Sequence, residues 1–245
     1  MAHHYQLYYW PLIPGRGEFS RLVLEAAGAD YVDVARLPEE QGGGVKAMQA
    51  LLNGHHAEGR PFAPPFLLID GKLVWQSMLC AHAVACREGL VAEDVATQDR
   101  ALAIAMTIGD LVNETHDTHH PVGSGLYYEE QKEEALRRAQ NFREQRLPKF
   151  LGYFEHLLEA NPQPNGPWLL GNEHSYPDLA LFHLLEGLDF AFPNTMRRLT
   201  PQVTQCRALQ NRVRELPRVH AYLNSERRLP FNQHGLFRHY PELDS

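Results

Sequence analysis

The feature that most constrains this chain is a change of pattern near residue 90. Before it, short apolar runs of strand type alternate with stretches whose apolar residues recur at helical spacing. After Gly89 every periodic stretch is helical and no credible strand remains. This predicts a small α/β domain followed by an all-helical one, with the boundary at residues 88–96.

The first part can be read element by element. Residues 5–10 are an aromatic and aliphatic run closed by Pro11, a strand entering a loop. Phe19, Leu22, Val23, Ala26 and Ala27 then recur at helical spacing, and Gly28 supplies a stop. Residues 31–34 read as a second strand, Gly42, Gly43 and Gly44 as a flexible loop, and residues 45–52 as a short helix. Two short apolar runs flank Asp70-Gly71 and predict a hairpin. A helix follows with Ser77 as its N-cap, running to about Arg87. The predicted order is β-α-β-α-β-β-α, a crossover unit that favours parallel pairing followed by an antiparallel edge. Beyond the boundary, helices are predicted over 97–115, 129–160, 177–190 and 203–223. Pro148 either kinks the second of these or divides it.

Composition narrows the function. The 245 residues are 44% hydrophobic and 22% charged, with a formal net charge of -7 and no long Lys/Arg run, so neither nucleic acid nor an anionic membrane is an expected partner. No stretch approaches the roughly 20 apolar residues that span a bilayer, and the first residues lack a signal-peptide layout. Three cysteines do not make a disulfide framework, and a reducing, cytoplasmic location is expected.

Three local patterns carry chemistry, and a fourth caps a helix. Tyr9-Trp10-Pro11 ends the first strand and Gly15-Arg16-Gly17-Glu18 opens the first helix. Ala63-Pro64-Pro65-Phe66-Leu67 enters the hairpin, and Gln76-Ser77 leaves it for a helix N-terminus, which suits a carboxylate. Ser175-Tyr176-Pro177-Asp178 precedes an apolar run as a capping box. His174 stands where the hydrophobic staple residue is expected. Gly166-Pro167-Trp168-Leu169-Leu170-Gly171 lies just upstream of that box.

These motifs, in this order, resemble the cytosolic glutathione transferases over nearly the whole chain. The tail at 230–243 is similar to an extension in a bacterial and fungal subset, and the tyrosine resembles the sigma- and mu-like enzymes. The resemblance implies a thioredoxin-like domain (residues 1–88) that binds glutathione and an all-helical domain (96–245) that binds a hydrophobic electrophile. It implies that Tyr9 activates the glutathione thiol. A thiol of pKa about 8.5 is roughly 3% ionised at neutral pH; lowering its pKa by two units takes about 2.7 kcal/mol. A hydroxyl donated to the sulfur anion near a helix N-terminus is a source of that energy. Strand alternation sends Tyr8 and Tyr9 to opposite faces, so only one of them meets the thiol; the Tyr-Trp-Pro match favours Tyr9.

The resemblance assigns further roles. Arg16 either orients Tyr9 or approaches the glycine carboxylate of glutathione, which Lys46 is also in a position to reach. Pro65 takes the place of a cis-proline whose preceding backbone pairs with the cysteinyl residue. Here that preceding residue is Pro64, which has no N–H to give, so one expected hydrogen bond is missing unless the register shifts by one. Gln76 and Ser77 hold the γ-glutamyl group, helped by Asp110 from the second subunit of a homodimer. Phe62 is either an aromatic plug between subunits or a core residue. Ile13, His116, Tyr127 and Tyr128 are expected at the electrophile pocket. The cluster His116, Asp117, His119, His120 has no matching ligand set elsewhere, and no metal is expected. The absence of cysteine at position 9 argues against the thiol-transferase branch. A glutathione-dependent isomerase of prostaglandin type uses the same thiolate, and Pro64 favours a third reading, a non-catalytic glutathione-binding protein.

Overall fold

A computed structural model describes residues 2–54, 56–162, 164 and 166–245. The chain divides into two compact units, residues 1–103 with 216–230 and residues 104–215 with 231–245. The division differs from a simple split at 88–96 because residues 216–230 return to the first unit.

The first unit has the expected order: β1 (Tyr5–Tyr8), α1 (Glu18–Ala27), β2 (Tyr31–Asp33), α2 (Gly44–Asn53), β3 (Phe66–Ile69), β4 (Lys72–Trp75) and α3 (Ser77–Glu88). The sheet order is β2-β1-β3-β4, with β1 parallel to β2 and antiparallel to β3. The mixed character follows from the connections, since α1 provides the crossover that parallel strands need and Asp70-Gly71 makes a tight reversal. Both turn residues have positive φ, 51° and 79°, as the twist of a two-residue hairpin demands. α1 buries Phe19, Leu22 and Val23 and packs against α3. It ends on Gly28, whose φ of 70° lets its N–H reach back to Glu25. Tyr8, Val34, Ala35, Met48, Phe66 and Leu73 form a core beneath the sheet.

The second unit takes in most of α4 (Val95–His116), then α5 (Lys132–Asn141), α6 (Leu147–Ala160), α7 (Tyr176–Ala191), α8 (Pro193–Leu199) and α9 (Thr204–Glu215). A π-helical turn, Phe142–Arg146, joins α5 to α6. Pro148 therefore neither breaks the helix nor is absorbed in a regular one; the widened turn just before it accommodates the missing N–H. α7 is buried on nearly every side, Leu179 to Leu188, and is the central helix of this unit.

Two predicted helices differ from those observed. The stretch 203–223 is not one helix: Leu216 has ψ 124°, and Pro217 starts α10 (Pro217–Leu223), which packs on α1 in the first unit. A residue before proline is pushed out of the helical region, and proline at the first turn restarts it. Pro193 likewise begins α8, which the sequence pattern did not reveal. At α3 the N-cap is Gln76 rather than Ser77, which is the first helical residue.

The capping box at α7 is present. The Asp178 carboxylate, fully buried, accepts from the Ser175 N–H and hydroxyl at 2.7 Å each and from the Leu169 N–H at 2.8 Å. The Glu155 carboxylate does the same for α9, accepting from the N–H groups of Gln205 and Cys206 at 2.7 and 2.9 Å. No helix among the described residues is long and apolar enough to cross a membrane.

Candidate active site

Sheet register brings three of the expected residues to one edge. Tyr8 pairs with Phe66, and Phe66 pairs with Trp75. One step outward along the same strands come Tyr9, Pro65 and Gln76, in a row about 10 Å wide at normal strand spacing. Residues far apart in sequence thus share the open end of three adjacent strands, where loops rather than ladder bonds take over.

Tyr8 and Tyr9 divide as alternation requires. Tyr8 turns into the core, its ring stacked on Phe66 with centroids 5.0 Å apart. Tyr9 turns the other way and lies against the Gly15-Arg16-Gly17 turn, where its hydroxyl accepts the Arg16 N–H at 3.0 Å. Both glycines are required by that packing. A Cβ on Gly17 would sit 2.5 Å from the Tyr9 ring, and one on Gly15, which also has φ 44°, would meet the hydroxyl. With a backbone donor already on its oxygen, the phenol keeps its own proton to give away. Burial pushes the Tyr9 pKa up, while the Arg16 N–H and the charges of Arg16 and Arg21 pull it back. The group is protonated at neutral pH and polarised toward donation.

The Pro64–Pro65 peptide bond is cis. Pro65 is buried and leads directly into β3. Gln76 holds φ 75°, ψ 123°, a conformation that a non-glycine residue adopts at a cost of about 1–3 kcal/mol and that concentrates at functional sites. Its exposed side chain, and the half-buried hydroxyl of Ser77, make no hydrogen bond among the described residues. The first turn of a 12-residue helix thus presents an amide, a hydroxyl and unspent N–H groups together, a combination suited to an α-amino-acid group.

Other expected residues are placed less closely. Lys46, well exposed on α2, pairs with Glu39 at 2.8 Å. Ile13 is half-buried in the loop before Gly15. In the second unit, Asp110 is exposed on α4. His116 ends α4, its ring stacked on His120 with centroids 5.0 Å apart. Tyr127 is exposed. Tyr128 is not an open pocket wall: it is 4% exposed, stacks on Tyr240 at 3.8 Å and donates its hydroxyl to Glu242 at 3.1 Å. The residues at 231–245 have claimed that ring. They also claim His119, whose Nε2 bonds the Leu236 carbonyl at 2.9 Å and whose other ring nitrogen contacts His120. Burial lowers the pKa of His119 to about 3 and of His120 to about 4, so both are neutral. No grouping of His, Cys, Asp or Glu arranged to hold a metal occurs among the described residues. Phe62 is 91% exposed, which removes the core-packing alternative.

Sequence reasoning passed over Arg21. It is fully buried on α1, bonded to Asp33 at 2.7 Å and Glu18 at 3.3 Å, with its guanidinium carbon 5.8 Å from the Tyr9 ring centroid. The available signal was a charge within the apolar stripe Phe19-Leu22-Val23, spaced three residues from Glu18.

A mixed sheet ending in a hydrogen-bonded phenol, a cis-proline and a polar helix start, followed in sequence by an all-helical unit, resembles the glutathione transferases. Comparisons with known proteins agree. Residues 116–226 match the family described as glutathione S-transferase, C-terminal domain. A glutathione S-transferase of Plasmodium falciparum is 22% identical over 231 residues, covering 93% of this chain and 98% of the relative. Among solved structures, the Pi-class glutathione S-transferase of Onchocerca volvulus aligns with a TM-score of 0.70 at 19% identity, covering 94% of this chain and 98% of the other. The prostaglandin synthase D of Nilaparvata lugens aligns with a TM-score of 0.68 at 19% identity, covering 93% and 100%. At these identities the structural likenesses show the fold, a thioredoxin-like domain followed by a helical one. Together the findings show a chain similar to glutathione S-transferases over residues 116–226 and in its fold.

Proposed function

We propose that the protein is a tyrosine-type glutathione transferase that joins the glutathione thiolate to hydrophobic electrophiles. The observation that carries this reading is the Tyr9 hydroxyl, held by the Arg16 N–H at 3.0 Å with its own proton left to donate. In this reading the backbone before Pro65 pairs with the cysteinyl residue, and Gln76 and Ser77 receive the γ-glutamyl group. Arg16 and Lys46 serve the glycine carboxylate; Lys46 then exchanges an exposed partner, Glu39, for the ligand. Pro64 has no N–H, so one backbone hydrogen bond to the cysteinyl residue is missing. Ile13, His116 and Tyr127 are the proposed contacts for the electrophile.

A homodimer is part of the proposal, with Asp110 of the second subunit meeting the γ-glutamyl amine. In this reading the ring of Phe62, 91% exposed, is the aromatic plug between subunits. Three free cysteines, two of them buried, support a reducing compartment such as the cytoplasm.

The second reading, a glutathione-dependent isomerase, is favoured by the fold shared with a prostaglandin synthase. The two differ in stoichiometry: conjugation consumes glutathione, isomerisation returns it. The test is the ultraviolet absorbance of bound glutathione thiolate across pH, with turnover of a chloronitrobenzene, in the wild type and Tyr9→Phe. The wild type is expected to titrate about two units below the free thiol, and Tyr9→Phe to lose most of that shift and about 10- to 100-fold in kcat/KM. Identical titrations would overturn the role of Tyr9, and no glutathione binding would overturn the proposal.

A further inference from the structure

Arg21 is the largest fully buried side chain among the described residues, and the fold alone gives little reason for it. Buried ion pairs lose so much hydration that apolar residues of similar volume usually serve stability as well. One of its nitrogens, Nη2, has no hydrogen-bond partner among the described residues, and such an orphan calls for an explanation. Nε is held by Asp33 on β2, while the contacts of Nη1 lie at the Tyr9 turn. Nη1 donates to the Pro14 carbonyl at 3.3 Å, and that same carbonyl receives the Glu18 N–H at 3.0 Å. Pro14 immediately precedes the Gly15-Arg16-Gly17 turn whose N–H holds the Tyr9 hydroxyl.

We infer that Arg21 is a positioning residue for Tyr9: it anchors the turn that holds the phenol and places a fixed positive charge beside the ring. The inference rests on the reading of Tyr9 as the group that activates glutathione. The charge acts at 5.8 Å between two buried side chains, where screening is weak. It makes the hydroxyl a stronger donor and favours a neighbouring thiolate. The charged and titratable groups around this spot come from every adjoining element. They are Arg16 on the turn, Glu18 on α1, Asp33 on β2, and Tyr222 and Arg228 in and after α10. Arg36 stands 3.9 Å beyond Asp33. Of these, Arg16 and Arg21 act on the phenol directly, both in the direction of ionisation. Glu18 and Asp33 moderate Arg21, so removing one of them should strengthen its effect rather than weaken it.

That sign reversal separates a field from a scaffold. The bound-thiol titration is measured in Arg21→Gln, Arg21→Lys and Asp33→Asn, with thermal melts to verify folding. Arg21→Gln is expected to raise the thiol pKa by about one unit, a tenfold loss of thiolate below the pKa. Arg21→Lys should recover part of the loss. Asp33→Asn, which frees Arg21 from its closest counter-ion, should lower the thiol pKa below that of the wild type. A purely structural residue would lower melting temperatures in all three and move no thiol pKa in the folded protein. Unchanged titrations, with Tyr9→Phe still raising the pKa, would overturn the role of Arg21 and leave Tyr9 standing. A Tyr9→Phe variant that titrates like the wild type would remove both. Should Arg21→Gln not fold, Asp33→Asn decides: failure to lower the thiol pKa overturns the inference.

Discussion

Gly17→Ala tests how the Tyr9 phenol is held without touching the phenol itself. Gly17 has φ -67° and ψ -25°, helical values that alanine adopts freely, and at a helical position alanine is favoured by about 1 kcal/mol. The obstacle is steric. The new Cβ would lie 2.5 Å from Cγ and Cδ1 of Tyr9 and 2.8 Å from its Cβ. Carbon atoms pack at about 3.5–4.0 Å, so the ring must retreat by about 1 Å. The clash is with the root of the side chain, so a change of rotamer alone does not relieve it, and Tyr9 is buried, with little room behind it. Overpacking costs about 1–3 kcal/mol, offset in part by the better helix former; the net loss of stability should be about 0–2 kcal/mol. Function should suffer more, because a 1 Å misplacement at a reacting centre costs up to about 100-fold. The bound thiol should titrate closer to its free value of about 8.5. The assays are kcat/KM for conjugation, the thiolate titration and urea unfolding. A double variant with Tyr9→Phe should be no worse than Tyr9→Phe alone, since both act through one group. A Gly17→Ala protein with wild-type thiol pKa and kcat/KM within about twofold would refute the reasoning.

Two further outcomes concern the helical unit. Asp178→Ala should cost about 2–4 kcal/mol, because it strands the buried Leu169 and Ser175 donors as well as removing the cap of α7. Urea midpoints check this, and a loss under about 1 kcal/mol would show that the cap is replaced locally. The buried histidines should make the protein acid-labile. His119 has a folded pKa lowered to about 3 from an ordinary value near 6.5, so the unfolded chain binds its proton first as pH falls. Stability is therefore full above about pH 6.5 and declines on acidification until about pH 3, with about 2 kcal/mol lost at pH 5 from His119 alone. His119→Gln should flatten the fall of the urea midpoint between pH 6.5 and 5; equal slopes in the two proteins would contradict it.

Local chemistry is what the sequence carries well. Turn residues, caps and hydrophobic period depend on neighbours a few positions away, so the hairpin at Asp70-Gly71, the stop at Gly28 and the box at Ser175–Asp178 could be read directly. Strand alternation separates Tyr8 from Tyr9, and the resemblance to the glutathione transferases marks the Pro64–Pro65 and Gln76 positions. The departures are also local, at Pro193 and Pro217, where a proline starts a helix that periodicity alone does not mark. Strand register, by contrast, joins residues separated by tens of positions. Only pairing of β1 with β3 and of β3 with β4 puts Tyr9, Pro65 and Gln76 in one row. The need for glycine at 15 and 17 is set by where the Tyr9 ring lies, and the burial of Arg21 on α1 is matched by Asp33 on β2. Tyr128 and His119 were legible as aromatic and imidazole groups near a helix end. That the residues at 231–245 cover them was decided by tertiary packing, because burial is a property of what lies on top of a residue and not of the residue itself.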